Sequence, residues 1–232
     1  MKYKYNGSIM DERMEVFLEM FSSHPCEYLN EIACKAANEH VPVIRKQTGE
    51  LLVFLLKAFN VKNVLEIGTA TGYSALYMSG GKPDIYIDTI EKVGYRAYEA
   101  EENFKNYALD GHINAMFGDA LTILPEIISQ GKYYDMVFMD AAKGQYHKFA
   151  EYAYSLLNPG GILVTDNVMQ EGEILESRYA VVRRNRTIHT RMRDYLYDIT
   201  HSDRWNSIVL PIGDGVVISI KQEKDKVKND EK

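Results

Sequence analysis

The sequence predicts an α/β protein built on a doubly wound, mostly parallel sheet that ends in an antiparallel hairpin, with extra helices at the N-terminus. Three observations predict it. First, Val64-Leu65-Glu66-Ile67-Gly68-Thr69-Ala70-Thr71-Gly72-Tyr73-Ser74 is a short apolar run, a glycine-bracketed turn and a helix-like stretch, the opening of an α/β nucleotide-binding unit. Second, strand-like and helix-like segments alternate from Asn63 onward at a spacing that calls for a parallel sheet with helices on both faces. Third, Pro211-Ile212-Gly213-Asp214 is a turn between two strand-like runs close to the end, the mark of a hairpin.

In chain order, 11–22 and 27–39 read as amphipathic helices separated by Pro25, with Met14, Phe17, Leu18 and Phe21 on one face of the first. An extended piece, Val41-Pro42-Val43-Ile44, leads to a strongly apolar helix over 49–59. These helices are expected to cover the sheet or to form a dimer face. Strands are expected near 63–67, 85–90, 113–117, 135–140 and 161–166, and helices near 73–79, 93–107, 119–130 and 145–157. Right-handed crossovers then fix a doubly wound topology. A long helix near 185–201 precedes the hairpin strands 205–210 and 215–221. We read 1–221 as one domain, helices over 1–60 and the α/β core over 61–221, and 222–232 as a disordered tail of alternating charge.

With 232 residues, 46% of them hydrophobic, the chain is long enough to bury a core without staples. Cys26 and Cys34 lie eight apart with no histidine at zinc spacing, and read as thiols in a reducing compartment. Met1 to Gly7 has no apolar signal core, and the run Leu51 to Leu56 is far too short to span a bilayer, so a soluble cytoplasmic protein is expected. A net charge of −6 argues against coating nucleic acid wholesale, but leaves room for a local basic patch.

Two constellations carry chemistry. Gly68 would allow a backbone conformation that a side chain hinders, and Glu91, ending the second strand 23 residues on, stands where such folds bind ribose hydroxyls. Glu66, two residues before Gly68, sits badly beside a pyrophosphate and so points away from a dinucleotide. The second constellation lies at the ends of the fourth and fifth strands, at Asp140 and at Asp166-Asn167. Ligands of open α/β sheets bind beyond these carboxyl ends. Three oxygen donors there suit a hard cation such as Mg²⁺ and do not suit structural zinc. Lys143, three residues past Asp140, could accept a proton or steady a developing oxyanion.

The first turn, together with Asp140-Ala141-Ala142-Lys143 and Asp166-Asn167-Val168, resembles the cation-dependent class I O-methyltransferases of the catechol and caffeoyl-CoA type, over roughly Val41 to Lys221. The chain is more closely similar to the bacterial branch that methylates 5-hydroxyuridine at the tRNA wobble position. That resemblance runs through His40-Val41-Pro42, Gly118-Asp119-Ala120-Leu121, Asp140 to Tyr146 and Pro211 to Gly215. It implies a Rossmann-like methyltransferase fold with a seven-stranded sheet and S-adenosylmethionine as cofactor. Ile44, Gly68, Ser74, Glu91, Asp119, Ala120 and Asp140 would then line the cofactor site, and Asp140, Asp166 and Asn167 would hold Mg²⁺. Ile44 stands where relatives often carry methionine, and keeps an apolar contact.

The roles fit the chemistry. The cofactor carries no phosphate but an ammonium and a sulfonium, so Glu66 becomes an asset near its amino group. Ser74 would donate to its carboxylate, Glu91 would accept from ribose, and Asp119 would accept from the adenine amino group. Asp140 and Lys143 are the expected catalytic residues. A catechol and 5-hydroxyuracil both offer two vicinal oxygens, so the metal motif does not choose between them. The run Arg178, Arg183, Arg184, Arg186, Arg191 and Arg193, with no acid between, is the feature that bears on the choice. By itself it reads as a solvated helix face paired with Glu176 and Asp194. With the resemblance it reads as an RNA contact for a tRNA anticodon stem-loop. The expected reaction is formation of 5-methoxyuridine at position 34. Methylation of a small catechol or phenylpropanoid is one alternative, and a non-catalytic RNA-binding module is another. The family's dimers imply a homodimer.

Overall fold

A computed structural model describes residues 12–107 and 112–223; positions 224–232 of the expected tail lie outside the described residues. Three helices come first: α1 (Glu12–Glu19), α2 (Tyr28–Asn38) and α3 (Lys46–Ala58). The alternating part follows as β1 (Asn63–Ile67), α4 (Tyr73–Gly81), β2 (Tyr86–Glu91), α5 (Gly94–Tyr107), β3 (Ile113–Phe117), α6 (Ala120–Ser129), β4 (Tyr134–Met139), α7 (Tyr146–Leu156) and β5 (Leu157–Thr165). Helix α8 (Arg186–His201) and the strands β6 (Trp205–Leu210) and β7 (Val216–Lys221) complete the chain.

The seven strands form one sheet in the order β3-β2-β1-β4-β5-β7-β6. The first five are parallel, β7 pairs antiparallel with β5, and β6 pairs antiparallel with β7. The chain leaves β1 toward β2 and β3, then returns to lay β4 on the other side of β1. Strand order therefore reverses between β1 and β4, and a crevice opens there at the carboxyl ends.

Alternation along the strands divides the core in two. Leu65, Ile67, Val137 and Leu163 pack under α6, α7 and α8. Val64, Met136, Phe138, Ile162 and Val164 pack under the helices of the N-terminal half. Because the central strands are buried on both faces, they read as continuous apolar runs rather than as alternating ones.

Two local expectations are corrected. Strand β5 starts at Leu157 rather than near 161. Its pairing with β4 jumps from Tyr134↔Leu157 to Met136↔Ile162, so Asn158 to Gly161 form a bulge. Helix α3 starts three residues early, at Lys46, with Gly49 pressed against the Tyr77 ring, 2.8 Å from where a Cβ would sit. The apolar residues Met14 and Phe17 of helix α1 are about half exposed and Phe21 is exposed, so this face does not cover the sheet.

Candidate active site

The strand ends are brought into line by ladder bonds that run one residue beyond each strand. Asp140 donates its N–H to Ile67 O, and Asp166 donates its N–H to Met139 O, both at 3.0 Å. Gly68 and Thr69 both donate to Ile90 O. Two acids and the first turn therefore share one level at the carboxyl edge of the sheet.

At this edge Gly68 has φ +106°, and a Cβ on it would lie 2.0 Å from the Asp140 carbonyl oxygen. The turn after β1 and the end of β4 thus approach more closely than any side chain permits. The turn continues through Ala70, a left-handed residue at φ 46°. Its N–H donates to Glu91 Oε2 at 2.8 Å, while Glu91 Oε1 accepts from Val93 N–H at 2.7 Å. Glu91 fastens the turn from the neighbouring strand, and each of its oxygens keeps a second lone pair toward the crevice.

The crevice is a cleft of about 890 Å³. One end is lined by Pro42, Ile44, Gly68, Ala70, Glu91, Lys92, Arg96, Asp119 and Ala120. Asp119 caps α6 by accepting the Leu121 N–H at 2.9 Å, and its other oxygen is paired with Lys92 at 2.6 Å. The Lys92 ammonium, with that cap, holds the Asp119 carboxyl below its ordinary range.

The other end holds Asp140, Lys143, Asp166, Asn167, Gln170, Glu171, Glu173, Asn185, Ile188 and Asp214. Asn167 is left-handed at φ 59°. Its backbone N–H donates to Asp166 Oδ1 at 2.8 Å, and its amide nitrogen donates to Asp140 Oδ1 at 2.9 Å. Asp166 is 2% exposed, and burial followed by the neighbouring Asp140 charge pushes its carboxyl up to about 8. Burial also raises Asp140. Neither acid has an ion-pair partner within 4.0 Å among the described residues. Two buried, mutually repelling carboxylates with an adjacent amide oxygen fit a hard divalent cation, which would relieve the repulsion that burial creates. Among the described residues no three His, Cys, Asp or Glu side chains are grouped to hold a metal, so such a site depends on the amide of Asn167 as well as on the two acids.

Of the predicted residues, Ile44, Gly68, Glu91, Asp119, Ala120, Asp140, Lys143, Asp166 and Asn167 line this one cleft. Glu66 and Ser74 do not. Strand alternation turns Glu66 away from the face of Leu65 and Ile67, and Glu66 is fully buried while Ser74 is 6% exposed. Ser74 Oγ donates to Glu66 Oε1 and Thr89 Oγ1 to Glu66 Oε2, each at 2.5 Å, with Thr69 Oγ1 also 2.5 Å from Thr89 Oγ1. Burial pushes Glu66 up to about 7 in spite of those hydroxyl donors. The Ser74 hydroxyl, expected to meet a ligand, is instead spent on the acid beneath the turn.

The arginine run is divided as well, and none of its members lines the cleft. Arg186 donates to Val181 O and Tyr179 O, Arg191 to Gly144 O, and Arg193 to Ile174 O and Glu176 O. Arg178, Arg183 and Arg184 are exposed.

Sequence reasoning missed the wall contributed by Gln170, Glu171, Glu173, Asn185 and Asp214. Asp214 accepts the Glu171 N–H at 2.5 Å, and Asn185 Nδ2 donates to both Glu173 oxygens at 2.9 and 3.0 Å. A signal for Asp214 existed. A hairpin strand running antiparallel beside β5 must put its preceding turn at the carboxyl end of β5.

Fold and cleft define a class: a Rossmann-like protein whose cleft at the switch point gathers Glu91, Asp140, Asp166 and Asn167. The O-methyltransferase family matches residues 19–222, and the chain belongs to that family. A Staphylococcus aureus structure described provisionally as a caffeoyl-CoA O-methyltransferase is 31% identical, covers 91% of this chain and 100% of its own, and superposes with a TM-score of 0.83. A catechol O-methyltransferase of Niastella koreensis is 33% identical over 55% of this chain and 59% of its own length, less than two thirds of that relative. The O-methyltransferase TomG of Streptomyces achromogenes, solved with S-adenosylmethionine, shares the fold at 24% identity and a TM-score of 0.77, over 92% of this chain and 100% of its own.

Proposed function

We propose that this O-methyltransferase uses S-adenosylmethionine and a divalent cation, Mg²⁺ first, to methylate 5-hydroxyuridine at the tRNA wobble position, giving 5-methoxyuridine. The observation that carries the reaction is the convergence of Asp140, Asp166 and Asn167 in the cleft that also holds Glu91. When bound, the sulfonium cofactor supplies an electrophilic methyl group, and the cation lowers the pKa of a chelated hydroxyl.

The chain supplies orientation and charge. Glu91, already fixed by two backbone N–H groups, accepts from ribose hydroxyls. Ile44 and Ala120 offer apolar contact, and Asp119 offers an acceptor for an exocyclic amine. Lys143 stands on the turn after β4, three residues from Asp140, with Gly144 O held by Arg191. There its amine accepts the hydroxyl proton or faces the developing oxyanion as a cation. Asn167, steadied by both acids, presents the third oxygen.

The exposed Arg178, Arg183 and Arg184, in the stretch that leads to the cleft residue Asn185, favour a polyanionic substrate, on a chain whose net charge is −6. The second reading is a small catechol or its thioester, and it rests on the names of the relatives above. The test is methyl transfer to tRNA from cells lacking the enzyme, with and without chelator, read by nucleoside mass spectrometry beside a caffeate sample. Metal-dependent conversion of 5-hydroxyuridine is expected. Methylation of caffeate with tRNA untouched would overturn the substrate, and undiminished transfer in chelator would overturn the metal.

A further inference from the structure

The arginine run serves two different purposes, and the geometry separates them. Residues 177–180 form a tight turn in which Ala180 N–H bonds Ser177 O at 2.9 Å, so Arg178 and Tyr179 occupy its two central positions. Tyr179 is 85% exposed, the most exposed large apolar side chain among the described residues. Arg178, Arg183 and Arg184 are exposed around it, and no partner for their guanidinium groups is found among the described residues. The turn is fixed from behind. Val181 is buried, and Arg186 Nε donates to Val181 O at 3.1 Å while its Nη2 donates to Tyr179 O at 3.2 Å. Asn185, next in the chain, enters the cleft wall and holds the Glu173 carboxylate there.

We infer that residues 177–185 are a docking platform for single-stranded RNA, with Tyr179 as the stacking surface for a base next to the methylated one, Arg178, Arg183 and Arg184 as its phosphate contacts, and Arg186 as the positioning residue that holds the turn without touching RNA. The inference rests on the tRNA reading and goes further, because it says which side chains meet the polymer. An exposed ring with nothing packed on it and three outward guanidinium groups is the pairing that binds unpaired nucleotides, one element for the base face and the other for the backbone. Arg191 and Arg193 are exposed too, but each is tethered through one Nη1 to backbone carbonyls, of Gly144 for the first and of Ile174 and Glu176 for the second, so we leave them outside the platform. The exposed acids flanking this stretch in the chain are Glu171, Glu176 and Asp194, and Glu173 is bonded by Asn185.

The experiment is fluorescence anisotropy of a labelled anticodon stem-loop against the full chain over a salt series, with S-adenosylhomocysteine affinity measured on every variant as the check on folding. For single strands each phosphate contact contributes about 0.7 to the log–log salt slope. The triple change of Arg178, Arg183 and Arg184 to Ala should therefore flatten the slope by about 2. Tyr179→Ala should weaken binding about fivefold to a hundredfold with little change of slope, and Tyr179→Phe should restore it. Arg191→Ala and Arg193→Ala should leave the slope alone. Wild-type protein that binds and methylates RNA while the triple variant keeps the full slope would overturn the platform alone, and leave that surface to a protein partner. Wild-type protein that binds no RNA and methylates a catechol would overturn the substrate reading and the platform together.

Discussion

Glu66 gives the sharpest quantitative prediction. It is the penultimate residue of β1, fully buried, with two hydroxyl donors and no cationic partner among the described residues, and burial lifts its carboxyl from 4.5 to about 7. Between those values the folded chain holds a proton that the unfolded chain has lost. Unfolding then releases a proton, so stability falls as pH rises through this window and levels off above it. The gap of about 2.5 pH units corresponds to about 3 kcal/mol at 1.36 kcal/mol per unit. Glu66→Gln keeps the shape and one acceptor while removing the charge. Urea unfolding of the cofactor-free protein from pH 4.5 to 8.5 should therefore show the variant close to wild type at the acid end and about 3 kcal/mol more stable at the alkaline end. Taking the difference between the two proteins cancels the other titrating groups. A difference that stays constant across the series would refute the argument, because it would mean that Glu66 does not change its proton occupancy on folding.

Other consequences concern the cleft. Gly68→Ala places a methyl 2.0 Å from the Asp140 carbonyl oxygen at φ +106°, and should destabilise by about 3 kcal/mol or more and abolish cofactor binding, read by thermal melting and calorimetry. Asp166→Asn should stabilise the cation-free protein at pH 8, by as much as about 5 kcal/mol on the same arithmetic, and should abolish methyl transfer; an equal or lower melting temperature would deny that burial and the Asp140 charge disfavour the ionised acid. Added Mg²⁺ should raise the melting temperature of wild type and leave that variant unmoved, since only a ligand of the native state stabilises. Asn185→Ala should release Glu173 and lower kcat/KM about tenfold, with S-adenosylhomocysteine affinity unchanged; a matching loss in cofactor affinity would show that the contact supports the whole cleft rather than its substrate wall.

Most of the strand-and-helix alternation was legible because it depends on local patterning. Short apolar stretches followed by Gly, Asp or Asn mark β1, β4 and β5, and the acids after β4 and β5 become neighbours through topology alone. Gly68, Glu91, Asp140, Lys143, Asp166 and Asn167 could be named for that reason. The bulge at Asn158 to Gly161 could not, since a strand pattern does not reveal where pairing slips. Nor could the exposed face of α1, because an amphipathic stripe states what could be buried and not what lies opposite it.

Side-chain direction separates the remaining cases. Glu66 and Glu91 are both acids of parallel strands near a glycine turn, yet one is sealed under Ser74 and Thr89 while the other lines the cleft. The six arginines from Arg178 to Arg193 look alike in sequence, yet three donate to backbone carbonyls and the other three make no such bond among the described residues. By itself the sequence determined the order of elements, the family and the two acids and amide at the strand ends, because these follow from periodicity and from a topology with one permitted hand. Tertiary structure alone decided which polar groups spend their hydrogen bonds inside the protein and which keep them for a ligand, because that depends on partners dozens of residues away in the chain.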